Sequence, residues 1–376
     1  MQALKNIRLV TEDGILEGKA VVFDSRIIAI EDEDRLAAGV PQLDGGGNYL
    51  APGLIDLHIH GCSGFDTMDE DPRALGEMAK SLVRTGVTAF LPTTMTMAPA
   101  RIRGALERLR AYRPEPGAAQ ILGCHLEGPF ISREYKGAQD EKYICDPSFA
   151  LIEPYADLIR IVVLAPEQPG SVEFVQQCSE RGIRVAIGHS NATLAQAAAA
   201  IVAGAAQVTH TFNGMSPLHH REPGMVGAAL LHDVTCELIA DNIHVHPEAQ
   251  RLLLNVKGLD RVVLITDAMR ACLLADGQYD LGGQPVQVRD GQARLDDGRL
   301  AGSVLTLNRA LRNFARNTGI PFWQAVRLGS LNPANCLGLE HKGRIAAGQD
   351  ADLVLLDEAF EVLRTFVAGQ PVYRAD

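Results

Sequence analysis

Between Leu54 and Asp267 short apolar, β-branched runs alternate with longer stretches of helical periodicity, a pattern that predicts repeated βα units around a parallel sheet. Eight such runs can be read: LIDLHIH (54–60), VTAFLPTT (87–94), QILGCHLE (120–127), RIVVLAP (160–166), RVAIGHS (184–190), QVTHTFN (207–213), TCELIAD (235–241) and RVVLITDA (261–268). Eight parallel strands close a barrel, so the predicted class is α/β, a (β/α)8 TIM-type barrel. The flanks read differently. IRLV, AVVF and RIIAI within residues 1–50, and RIAAGQDADLVLLD (344–357) with VLRTFVAG (362–369), are β-like, and neither flank has enough apolar surface to fold alone. They predict one small β-sandwich domain made of residues 1–50 and 343–376, beside a barrel of residues 51–342.

Smaller features follow the same logic. The Ala-rich run LAQAAAAIVAGAA (194–206) predicts a packing helix capped by Asn191 or Thr193. Asp-Gly and Gly-Gly steps between alternating runs at 276–295 predict an inserted β-hairpin. Gly45, Gly46 and Gly47 lack a GxGxxG frame and read as a loop, and the acidic EDED at 31–34 reads as a solvated turn.

Composition narrows the function classes. With 47% hydrophobic and 22% charged residues the chain resembles a soluble globular protein, and no apolar stretch is long enough to span a bilayer. The start, MQALKNIRLV, lacks the layout of a signal peptide. The 7 cysteines are scattered without a CxxC pair, which argues against a disulfide framework or thiolate zinc site and fits a reducing cytoplasm. A net charge of −11 with no basic stripe disfavours nucleic acid, so an anionic substrate needs a local cluster of cations.

The carboxyl ends of the predicted strands carry the candidate chemistry. His58 and His60, two apart in one strand, point the same way and could form a metal-binding corner. In a closed barrel Glu127, His189 and His210 would converge from the third, fifth and sixth strands, a carboxylate and two imidazoles suited to a catalytic divalent metal. Asp267, at the end of the eighth, could take a proton from water acidified by that metal and pass it to a leaving group. Each residue alone has an ordinary reading, as a satisfied core histidine or a helix cap, but their equivalent positions in a repeat favour one shared site. No GxSxG elbow offers a rival nucleophile.

HLEGPF (125–130), KGAQ (136–139), GHSNAT (188–193), THTFNGMSPLHHREPG (209–224), DNIHV (241–245), TDAMRA (266–271) and LAGS (300–303) together resemble the N-acetylglucosamine-6-phosphate deacetylases of the amidohydrolase superfamily. The likeness runs in order from about residue 50 to the closing GRIAAGQDADLVLLD. It implies hydrolysis of the N-acetyl amide of an amino sugar 6-phosphate, releasing acetate in amino-sugar catabolism. It also implies primary metal ligands at Glu127, His189 and His210, and an acid/base at Asp267. Sugar and phosphate contacts fall on Ala138, Gln139, Asn213, Gly214, Arg221, His244 and Ala301; some members carry His where this chain has Gln139. The family implies a homodimer in which Arg221 reaches the neighbouring site. Because this chain keeps both His58 and His60, a second ion beside the first is expected, bridged by Glu127. Zinc is the expected metal and iron the alternative. Cyclic amidohydrolases with a carboxylated lysine after the fourth strand are disfavoured, since no lysine lies between Lys142 and Lys257. A deaminase, or a metal-free binding or scaffold relative, completes the alternatives.

Overall fold

The computed structural model describes residues 1–375. Every one of the eight apolar runs contains a strand: β1 (Leu54–Ile59), β2 (Val87–Pro92), β3 (Cys124–Leu126), β4 (Ile159–Leu164), β5 (Arg184–Ile187), β6 (Gln207–Val208), β7 (Thr235–Ile239) and β8 (Val262–Ile265). They pair in parallel in sequence order, β1 with β2 and β3 through to β8. Two single parallel bridges join the rest, Thr93 with His125 between β2 and β3, and Ile59 with Ala268 between β1 and β8. The outcome is a curled parallel sheet whose first and last strands meet. Helices such as Ala74–Leu82, Ser171–Glu180, Leu194–Ala203 and Leu307–Thr318 follow the strands and pack on the outside.

The strands are shorter than the apolar runs, and always at the carboxyl end. His60 and Glu127 stand one residue past their ladders; His189, His210 and Asp267 stand two past. Free of the ladder, the last three take left-handed φ values of 45°, 26° and 48°. That region costs a non-glycine residue on the order of 1 kcal/mol and clusters at functional sites.

The terminal β structure is one sheet of eight strands, ordered Gln370–Arg374, Val362–Val367, Leu353–Leu356, Gln42–Pro52, Gln2–Val10, Lys19–Phe23 and Ile27–Asp32, with Ile15–Leu16 pairing onto Gln2–Val10. Phe366 and Phe23 are four strands apart in that order, which on a flat sheet is roughly 19 Å. Their rings nevertheless meet edge to face with centroids 5.6 Å apart, and both are fully buried. The sheet is therefore folded over, and its two halves enclose Leu4, Leu9, Leu50 and Leu353. The terminal β structure is thus a single sheet doubled on itself, its two halves packed face to face.

Three local expectations also change. Gly45–Gly47 are part of strand Gln42–Pro52, where the register with Gln2–Val10 shifts between Lys5 and Ile7. A Cβ on Gly45 would lie 2.3 Å from Ile7 Cγ2, so the glycines serve a bulge pressed against the core and not a loop. The insertion at 276–295 is a three-stranded meander, Gly277–Leu281, Gln284–Arg289 and Gln292–Arg294, its turns using left-handed Gly282–Gly283 and Asp290–Gly291. EDED begins in strand Ile27–Asp32 and ends in a single 3-10 turn, Glu33–Arg35. The helix Leu194–Ala203 is capped by Thr193 in a capping box with Gln196.

Candidate metal centre and catalytic cleft

His58, His60, Glu127, His189, His210 and Asp267 converge at the carboxyl end of the curled sheet, each with under a tenth of its surface exposed. Glu127 is the hub. Its Oε1 lies 3.3 Å from His58 Nε2 and 3.2 Å from Nε2 of both His189 and His210, while its Oε2 lies 3.3 Å from His60 Nε2. Asp267 Oδ1 stands 3.2 Å from His60 Nε2 and 3.5 Å from His58 Nε2.

The far sides of the rings decide what the near sides can do. His60 Nδ1 faces Thr93 O (3.3 Å), His189 Nδ1 faces Tyr135 O (2.8 Å) and His210 Nδ1 faces Asn213 O (3.1 Å). A carbonyl only accepts, so each Nδ1 must carry its hydrogen and, in a neutral ring, each Nε2 presents a lone pair. His189 Nε2 and His210 Nε2 are 3.0 Å apart. Two lone pairs at that distance repel unless a cation is shared between them. His58 Nε2 and Asp267 Oδ1 are also buried with no hydrogen-bond partner. Buried polar atoms left open in this way mark a place for a bound ion. The ligand atoms form three compact sets: His58 with His125 and Glu237, and two built from the six converging groups, Glu127 with His189 and His210, and His58 with His60 and Asp267. The latter two suit a divalent metal.

Protonation points the same way. Burial alone would lower the His60 pKa, but the Asp267 and Glu127 carboxylates outweigh it and raise it to about 9; His58 is raised well above its ordinary value against the same opposition from burial, by Glu127 and Asp267. Burial would raise the two acids, yet the histidines hold Glu127 far below the usual carboxylate range and Asp267 down to about 2. Each carboxylate is ionised at neutral pH and calls for positive charge, which protons or a metal can supply.

Above this centre opens a cleft of about 400 Å³. Ala138, Gln139, Asn213, Gly214 and His244 line it together with His60, Glu127, His189, His210 and Asp267. His244 Nδ1 is 2.6 Å from Asp241 Oδ2, which leaves Nε2 for the cleft, and Asp241 stays below its usual pKa because His244 outweighs the effect of burial. Gln139 has both ends occupied: Nε2 donates to Glu127 Oε2 (2.5 Å) and Oε1 accepts from Thr96 N (2.6 Å). It orients Glu127 through one of its two amide hydrogens.

Two expected contacts fall elsewhere. Ala301 is fully buried, its N–H bound to Ala293 O, while its neighbours Leu300 and Gly302 line the cleft. Arg221 is exposed on the loop after His219, its Nη1 2.7 Å from His220 Nε2, and does not line the cleft of its own chain. Sequence reasoning missed Arg294 and Arg299, which the inserted meander and the turn after it bring to the rim, and Glu237, which lies beneath His58 with its Oε2 3.1 Å from Nδ1. The arginines lie outside the βα repeat and gave no signal. Glu237 did, as a carboxylate in the middle of the apolar run TCELIAD.

A second cleft of about 290 Å³, between Trp323, Arg344 and Glu12, includes none of these ligands.

Comparison with known proteins converges on one group. The amidohydrolase family model matches residues 49–372. An N-acetylglucosamine-6-phosphate deacetylase of Lysinibacillus sphaericus is 41% identical over 373 residues, 98% of this chain and 96% of the relative. An N-acetylgalactosamine-6-phosphate deacetylase of Escherichia coli O157:H7 is 40% identical over 376 residues, 98% of each chain. Among solved structures, N-acetylglucosamine-6-phosphate deacetylase from Pasteurella multocida superposes with a TM-score of 0.95 at 33% identity, covering 100% of both chains. A mutant of the Mycobacterium smegmatis enzyme, solved in complex with N-acetyl-D-glucosamine-6-phosphate, superposes with a TM-score of 0.91 at 31% identity over 99% of both chains.

Proposed function

The chain belongs to the amidohydrolase family, and we propose that it is an N-acetylglucosamine-6-phosphate deacetylase, a hydrolase that cleaves the N-acetyl amide of N-acetyl-D-glucosamine 6-phosphate to D-glucosamine 6-phosphate and acetate. The observation that carries the reading is the convergence of four imidazole Nε2 atoms and two ionised carboxylates at the floor of a cleft. We read the curled sheet as a (β/α)8 barrel of residues 51–342, with residues 1–50 and 343–376 forming the small β domain.

Glu127, His189 and His210 would hold one divalent ion; His58 and His60 would hold a second, with Glu127 between the two. Zinc is the proposed ion and iron the alternative. A divalent ion held there would supply acidification of water near neutral pH and polarisation of an amide carbonyl. The rest of the reaction falls to the chain's own groups. Asp267, ionised and with Oδ1 uncommitted, accepts the proton of the attacking water and returns it to the amine nitrogen as the amide bond breaks. Gln139 fixes the direction in which Glu127 presents its oxygens. His244 Nε2, Asn213 and the backbone at Ala138 and Gly214 face the sugar and its phosphate.

A dianionic phosphate calls for a forked guanidinium. Arg221 is outside its own cleft on an exposed loop, which supports a homodimer in which it reaches into the cleft of the second subunit. No helix among the described residues is long and apolar enough to cross a membrane. All seven cysteines are free, which supports a cytoplasmic enzyme. A metal-free scaffold has against it the six converged ligand groups, whose buried and unpartnered donor atoms suit a bound divalent ion.

A second reading, action on the galacto epimer, is favoured by the Escherichia coli relative, whose 40% identity nearly equals the 41% of the first. Acetate release from both hexosamine 6-phosphates, with and without chelator, tests both readings. Release that stops on chelation and returns with metal supports the proposal; no release from either sugar after metal is restored refutes it.

A further inference from the structure

Glu237 sits in the middle of β7 with no exposed surface, and it touches both halves of the metal centre. Its Oε2 lies 3.1 Å from His58 Nδ1 and accepts from the backbone N–H of His210 at 3.2 Å. Its Oε1 accepts from Gln207 Nε2, and its own carbonyl accepts from Thr211 N (2.8 Å). All three groups around the carboxylate are donors, so both oxygens must accept, which only a carboxylate does. Gln207 cannot turn to relieve this, because its Oε1 is taken by Arg184 Nε at 2.7 Å.

His58 is set apart by this partner. His60, His189 and His210 hand their Nδ1 hydrogens to neutral backbone carbonyls, and His58 alone hands its own to a buried charge. A charged acceptor pulls harder on the Nδ1 hydrogen, fixes the tautomer and makes Nε2 a stronger donor to a metal. We propose that Glu237 is a positioning residue that governs occupancy of the His58/His60 metal position. It acts through the His58 ring, and the ion on Glu127, His189 and His210 does not depend on its charge.

The inference rests on the two-ion reading above, and its test separates the two. Glu237→Gln leaves an amide among three donors and could fail to fold. The double variant Glu237→Gln with Gln207→Glu restores every hydrogen bond: the new amide donates to the new carboxylate, which also accepts from Arg184. The charge is then one side chain further from His58. Zinc per chain is measured in wild type and double variant across a chelator series, with thermal melts alongside. The double variant is expected to melt like wild type and to give up one ion at a chelator concentration roughly 10 to 100-fold lower, while the other follows the wild-type curve. Unchanged release of both ions, parallel loss of both, or failure of the double variant to fold overturns the proposal. Fewer than two ions in wild type removes the two-ion reading and this inference with it, whereas two ions in wild type and the same chelator curves for both ions in the double variant remove this inference alone.

Discussion

The ligand imidazole of His189 is held by the closeness of bare backbone, and this can be tested by adding one methyl group. Gly214 has φ +58°, and a Cβ there would lie 3.1 Å from His189 Nδ1 and 3.4 Å from its Cε1; a Cβ on Gly137 would approach Cε1 to 3.3 Å. Gly214→Ala therefore carries two penalties. Left-handed backbone costs alanine about 1 to 2 kcal/mol, and a 3.1 Å contact must open by a few tenths of an ångström. The ring cannot give way without stretching its 2.8 Å bond to Tyr135 O. Metal–ligand distances tolerate only about 0.2 Å, so the displacement should weaken the ion on Glu127, His189 and His210 by roughly 10 to 100-fold, about 1.4 to 2.7 kcal/mol. Gly283→Ala supplies the control: its φ is +82° and nothing lies within 4 Å of the added Cβ. Chelator competition and thermal melting are run on both. Each variant should lose similar stability from backbone strain, and only Gly214→Ala should lose metal affinity. If Gly214→Ala binds metal as tightly as wild type, glycine is not what holds His189 in place.

Asp267→Asn should lower turnover about 10²- to 10⁴-fold while metal content stays at the wild-type level; near-normal turnover refutes the proton-transfer role. His60→Gln should take metal content from two ions toward one with partial activity, and loss of all metal would show that its position is the primary one. Arg221→Ala should raise KM by the phosphate's share of roughly 2 to 4 kcal/mol with kcat little changed. Dimers refolded from mixed Arg221→Ala and Asp267→Asn chains should regain activity, because one of the two clefts then has both groups; no recovery places Arg221 in its own chain's site. Burial pushes Asp66 up to about 6 against the pull of Arg270, and its Oδ2 has no partner. A raised acid stabilises the fold below its unfolded pKa and loses that contribution as pH rises through about 6, so in metal-stripped protein Asp66→Asn should gain about 1.5 kcal/mol on wild type between about pH 5 and about pH 8. An equal difference in unfolding free energy at both pH values would contradict this.

The strands were legible because each is buried on both faces, which writes a continuous apolar run. LIDLHIH and RVVLITDA show this, and their structural counterparts Leu54–Ile59 and Val262–Ile265 lie inside them. The six converging ligands were legible because they sit at one repeated place, at or just past the carboxyl end of a strand. What the sequence did not disclose depends on contacts between distant segments. Gly45 reads as loop until Ile7 is seen against it, and the folding of the terminal sheet appears only in the meeting of Phe23 with Phe366. Arg299 reaches the cleft rim from the turn after the meander, through a bond from its Nη1 to Gly137 O, and no periodicity marks it. Glu237 was visible as a charge in an apolar strand but needed His58 beside it to acquire a meaning.

The same geometry explains why five of the six ligands follow the ladders, His58 alone lying within one. A residue inside a parallel ladder has its backbone fixed at φ near −120° and its side chain committed to one of two faces. The other five ligand side chains come from four strands, β1, β5, β6 and β8, and must converge with Glu127. Leaving the ladder after Ile187, Val208 and Ile265 frees His189, His210 and Asp267 to adopt left-handed backbone and swing inward. The strand before each one holds its root in place. Gly188, the residue between β5 and His189, completes the device: a Cβ there would lie 2.8 Å from Thr209 Cβ, so only glycine lets β5 and β6 approach closely enough to bring His189 Nε2 and His210 Nε2 to 3.0 Å. Strain of about 1 kcal/mol at each of three positions is small beside the apparent 10 to 16 kcal/mol that a well-formed structural zinc site contributes. Bound metal can therefore hold these residues in conformations that local propensity alone disfavours.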